Sequence, residues 1–220
     1  MKTLYTFPKA AHLGRVLTKE KIYTFASPPA KVKKLFVDQV EKITWSYNLT
    51  SKSINLPASK KVQEIQVFTV RLRTPEVSHE LLQTLDKAIP SPLIYILQFN
   101  GNTRYAAAYK RPSEADKNKW VISSYFESDW ISDDSSCSEL PVVLNMWALY
   151  RALLASLAPL SFRVNETLDE LVTRIDLLRS KEREAIQLEK RMHKEKQFNR
   201  RVEMNRKLNG LKEEIGALKI

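Results

Sequence analysis

The chain's 220 residues include 36 Lys and Arg against 25 Asp and Glu, a net charge of +11, and 43% are hydrophobic. That is enough apolar material for a packed core in one domain plus an appendage, and too much for a disordered chain. Four glycines leave no phosphate-cradling loop, and the lone Cys137 excludes an internal disulfide framework and points to the reducing cytoplasm.

The first 26 residues are mixed, with Tyr5, Phe7 and Pro8 marking an extended start. A helix is predicted next, with Ser27 as cap, Pro28 in the first turn, and Val32, Leu35, Phe36, Val40 and Ile43 on one face. Period-two alternation through Ile43, Trp45, Tyr47 and Leu49 predicts a strand, and the β-branched run Val62 to Arg73 a second. Thr74-Pro75 ends it, and Val77, Leu81, Leu85, Ala88 and Ile89 predict a short amphipathic helix stopped by Pro90.

Leu93 to Phe99 is nearly continuous in apolar character, as expected of a central strand buried on both faces. Asn100-Gly101 then separates it from Thr103 to Lys110, a strong hairpin signal. Trp120 to Phe126 predicts a further strand, and Ser132 to Ser138 a polar loop. Leu140 to Leu160, the most apolar region, is interrupted by Asn145 and Arg151; it reads as a buried helix and not a membrane span. The order predicts an α+β body over residues 1–160, a mostly antiparallel mixed sheet with helices on one face.

Residues 161–220 form a C-terminal arm, read as one long charged helix from about Val164. Leu168, Leu171, Ile175 and Leu178 make a short heptad seam; a second, in another register, runs through Met204, Leu208, Leu211 and Ile215. Two registers joined by a polar middle do not make a continuous parallel coiled coil. Between Arg179 and Lys207 there are 11 Lys or Arg and 5 Glu, net +6. Arg179, Lys181, Arg183, Lys190, Arg191, Lys194, Lys196, Arg200 and Arg201 are the candidate contacts to DNA or an acidic protein partner. The interspersed Glu182, Glu184, Glu189 and Glu195 equally suit a salt-bridged, solvated helix face.

In the body, alternation puts Glu64 and Gln66 on an otherwise apolar strand face, so a specific partner is expected for the carboxylate. Two readings stand: a hydrogen-bonded structural pair, or a divergent Mg²⁺-dependent nuclease centred on Glu64, with Gln66 at the usual lysine position and Asp38 or Asp86 as second acids. His12, His79 and His193 are scattered with no metal-ligand spacing, and Asp129, Asp133 and Asp134 lack the spacing and glycine of a calcium loop. The strand aromatics Trp45, Tyr47, Trp120, Tyr125, Phe126 and Trp130 are read as core, with base stacking as the alternative.

The segments FPKAAHLGRVLTKEKIY, KVKKLFVDQVEKITWSYNL, INLPASKKVQEIQVFTVRLR, LLQTLDKAIPSPLIYILQF, YAAAYKR and KWVISSYFESDW resemble the bacterial domain of unknown function 4391. The resemblance implies a gene often placed beside helicases and DNA methyltransferases in restriction-like or phage-defence clusters, and supplies no catalytic residues. The expectation is a cytoplasmic, non-enzymatic accessory protein without a cofactor. Its helical arm would bind a helicase- or methyltransferase-type protein, a second copy of itself, or DNA, and no membrane.

Overall fold

The computed structural model describes residues 3–113 and 120–220. The chain divides into two compact units, Met1–Ala158 and Pro159–Ile220.

The first unit runs β1 (Leu4–Thr6), a 3-10 turn (Lys9–Ala11), β2 (His12–Leu17), α1 (Lys19–Ala26), α2 (Ala30–Gln39), β3 (Val40–Thr50) and α3 (Ser51–Ile54). It continues β4 (Glu64–Leu72), α4 (His79–Ala88), β5 (Leu93–Phe99), β6 (Asn102–Pro112), β7 (Trp120–Glu127), β8 (Ile131–Ser132), β9 (Cys137–Glu139) and α5 (Met146–Leu157). A seven-stranded sheet has the order β2-β3-β4-β5-β6-β7, with β8 also paired to β6. Every pairing in it is antiparallel except β4 with β5, where α4 makes the crossover that a parallel pair requires. The architecture is α+β, as the element order predicts.

Helices cover both faces of the sheet, not one. Ala106 and Ala108 of β6 pack with Ile22 of α1, Val32 and Phe36 of α2, and Leu81, Leu82 and Leu85 of α4. Tyr109, in the other register of the same strand, meets Trp147 and Tyr150 of α5, with ring centroids 6.4 Å apart in each case. The physical reason is legible in β5: all of Leu93 to Leu97 is buried, and such a strand needs apolar cover on each side. Each fully buried Leu or Phe here contributes about 1.5–3 kcal/mol.

Two local readings shift. Ser27 does not begin α2; it ends α1 in the left-handed conformation (φ 43°), and Pro29 precedes α2. The stretch Ser132 to Ser138 contributes the ends of two short strands, β9 pairing in parallel with β1. The Asn100-Gly101 turn is as expected, joining β5 to β6 with both residues at positive φ.

The second unit is helical along nearly all its length, but in two pieces: α6 (Leu168–Lys194) and α7 (Phe198–Lys219). A capping box between Thr167 and Glu170 starts α6. Glu195 is extended, and its carboxylate accepts the N–H of Gln197 at 2.9 Å. With only three residues between them, α6 and α7 run antiparallel. Ala185 and Leu188 of α6 form one buried cluster with Leu208 and Leu211 of α7, with Met192, Met204 and Ile215 packed against it. The second apolar register is therefore one side of a hairpin seam whose other side is Ala185, Leu188 and Met192. Leu168, Leu171, Ile175 and Leu178 are buried as well.

Candidate nucleic-acid interface

The hairpin sorts its charges along its length. Across the stem, Lys181 meets Glu214 at 2.6 Å, Glu182 meets Lys219 at 2.9 Å, Glu184 meets Lys207 at 3.1 Å and Glu189 meets Lys212 at 3.2 Å. Such half-exposed pairs stabilise little individually, about 0–1 kcal/mol, but they favour the observed register and occupy the acids. Three of the glutamates that look interleaved with basic residues in the sequence, Glu182, Glu184 and Glu189, are thus neutralised from the opposite helix.

At the turn the balance is different. From Lys190 to Arg206 there are seven Lys or Arg and two Glu, net +5. Glu195 is turned back onto the Gln197 amide and lies 4.0 Å from Arg200. Lys190, Lys194, Lys196 and Arg201 are exposed, and among the described residues none of them has an ion pair or a side-chain hydrogen bond. Arg183 and Arg191 donate only to carbonyls of their own helix, those of Arg179 and Gln187. Of the nine basic candidates, Lys181 belongs to the stem, Arg179 and Arg183 lie on its α6 side, and the other six gather at the turn. The side chain that sequence reasoning missed is Phe198, first residue of α7 and 75% exposed among these cations.

Of the nuclease candidates, Glu64 and Gln66 meet, and Asp38 and Asp86 lie on separate helices. Glu64 opens β4, and both its oxygens are engaged: Oε1 accepts from Gln66 Nε2 at 2.7 Å and Ser91 Oγ at 2.9 Å, Oε2 from Asn48 Nδ2 at 3.2 Å. Glu64 and Gln66 are thus bonded to each other, and two further donors join the pair. Asp38 is exposed on α2, and Asp86 is buried in α4; neither shares a hydrogen-bond partner with Glu64. Among the described residues, no three His, Cys, Asp or Glu side chains come together as metal ligands.

The sequence profile described as "Domain of unknown function (DUF4391)" matches residues 6–215, nearly the whole chain. The chain belongs to this family. No curated protein and no solved structure matches it. Among the described residues of this DUF4391 chain, no helix is long and apolar enough to cross a membrane.

Asp86 and Lys110 are the charged side chains buried in the DUF4391 body among the described residues. Asp86 Oδ2 accepts the hydroxyls of Tyr95, at 3.0 Å, and Tyr125, while Oδ1 faces Lys110 Nζ at 3.8 Å. Lys110 Nζ also donates to the carbonyls of Asp86 and Ile89, so a buried ammonium closes the C-terminal end of α4. Burial pushes the Asp86 carboxyl up to about 6, against the opposing pull of Lys110 and the two tyrosines, and lowers Lys110 to about 8. Nearer the surface, His79 Nε2 and Arg104 Nη1 hold Glu127 at 2.6 and 3.0 Å, the histidine bond foremost in lowering its pKa. Trp130 lies 4.6 Å beneath the Arg104 guanidinium. Asp133 accepts from Thr103 at 2.7 Å instead of contributing to a cation loop.

The predicted strand aromatics also pack inward. Trp45 stacks with Phe68, centroids 6.1 Å apart, and Tyr125 and Phe126 are buried. Gln66 borders an apolar cavity of about 270 Å³ between α1, the sheet and the end of α4, with the exposed Phe25 among its lining residues.

Proposed function

We propose that this chain is a non-enzymatic accessory protein of a bacterial DNA-processing system, of the restriction-like or phage-defence kind, working beside a helicase- or methyltransferase-type partner. Its hairpin turn contacts the phosphate backbone of DNA. The observation that carries this reading is the separation of charge: Glu182, Glu184, Glu189 and Glu214 of the stem are paired with stem lysines, and the turn keeps a net +5. Cations left exposed in water, without intramolecular partners, can exchange counterions for phosphates at little cost to the fold. The α+β body serves as the platform that carries the hairpin.

Fluorescence anisotropy with a labelled duplex, titrated over salt, tests this on the full chain. Replacing Lys190, Lys194, Lys196 and Arg201 by Gln should weaken binding and flatten the slope of log K against log salt, by about 0.9 for every phosphate no longer neutralised. Replacing the stem lysines Lys212 and Lys219 by Gln changes net charge in the same sense and should matter less. Equal effects from both sets, or none from the turn set, would refute the reading.

A further inference from the structure

Phe198 sets this turn apart from an ordinary basic surface. It begins α7 directly after the three-residue connection, 75% exposed, and Val202 one turn later is 53% exposed. At about 100° per residue, their shared side of α7 points roughly 130° away from the seam formed by Met204, Leu208, Leu211 and Ile215. The ring is therefore not part of the hairpin's own packing. Arg201 stands three residues on, about 60° round the helix from the ring, and Lys194 and Lys196 precede the ring by four and two residues in the chain.

We infer that the hairpin turn binds single-stranded nucleic acid in preference to duplex, with Phe198 as the platform on which an unpaired base stacks. The inference rests on the phosphate-contact reading above. The cations draw in either form, because both carry phosphates. The ring discriminates between them. An unpaired base offers an open π-face, whereas a duplex base is covered above and below and must first be unstacked. Arg201, beside the ring, adds a planar cation that can lie against a neighbouring base.

The test compares a labelled oligothymidylate with a duplex of equal length, using the full chain and the variants Phe198→Ala and Phe198→Trp. Phe198→Ala should weaken oligothymidylate binding by about five- to a hundred-fold, the range expected when one base loses its aromatic platform, and change duplex binding by less than about two-fold. Phe198→Trp, which keeps a stacking face, should retain single-strand binding, and far-ultraviolet circular dichroism should show equal helix content in all three proteins. If Phe198→Ala weakens both ligands alike or neither, while the turn Lys/Arg variants weaken both, the stacking inference falls and the phosphate reading stands. If the unmutated chain binds neither at low salt, both fall.

Discussion

Arg174 grips Glu166 through two parallel hydrogen bonds, Nε to Oε1 at 2.7 Å and Nη2 to Oε2 at 2.8 Å, with both side chains more than nine-tenths buried. The same guanidinium donates to the carbonyls of Ser161 and Leu218, at 2.7 and 2.8 Å, and so ties the start of the second unit to the end of α7. Arg174→Lys cannot reproduce this fork and should destabilise the hairpin by about 1.5–3 kcal/mol, read as earlier loss of helix signal in urea. The Arg174 bond holds Glu166 below the usual glutamate range. Its stabilisation is therefore present above the unfolded carboxylate pKa and lost as pH falls through the folded one.

Asp86→Ala would take the carboxylate away from a buried ammonium and from the hydroxyls of Tyr95 and Tyr125, a loss of about 3–5 kcal/mol from the body measured by denaturant unfolding. Asp86→Asn gives the pH test. Asp86 has a folded pKa of about 6, above its ordinary value of 3.8, so folding favours its protonated form. Wild type should gain stability relative to Asp86→Asn as pH falls from about 6 toward 4, and lose that advantage as pH rises through 6. A flat difference across this window would remove the buried carboxyl from the account.

Gly101 sits at φ 72° after Asn100 at 47°, in the two-residue turn between β5 and β6. A Cβ there would meet nothing within 4 Å, so the cost of Gly101→Ala is backbone strain alone. Thermal unfolding should show a destabilisation of about 1–2 kcal/mol.

Gly210 and Gly216 lie within α7, exposed, with open space where a Cβ would be. Gly210→Ala and Gly216→Ala should each stabilise the hairpin by about 0.5–1 kcal/mol, visible as a higher melting temperature of the helix signal. A decrease would refute helix propensity as the whole effect at these two positions.

Much of the body is legible in the sequence because its signals are local. The uninterrupted apolar run of β5, the alternation of β3 and the Asn-Gly turn each encode their own conformation. Ser27 is ambiguous, because a serine between two helices suits either end, and here the Tyr23 carbonyl takes its amide. Glu64 and Gln66 stand out as a pair, but their other partners, Asn48 on β3 and Ser91 before β5, come from neighbours that sequence distance conceals.

The hairpin turn is the least visible feature, since Glu195-Lys196-Gln197 contains neither glycine nor proline. One signal does exist. Ala185 and Leu211, Leu188 and Leu208, Met192 and Met204, and Leu178 and Leu218 each lie at equal distance along the chain on either side of Phe198, the pattern of a seam folded at its midpoint. By itself, the sequence determined that this chain has an α+β body and a basic helical C-terminus, because hydrophobic period and composition act over short stretches. Only the tertiary structure decided which charges remain for a partner. Glu184 and Glu189 find Lys207 and Lys212 only when α7 folds back along α6, and that same reversal gathers the remaining cations around Phe198.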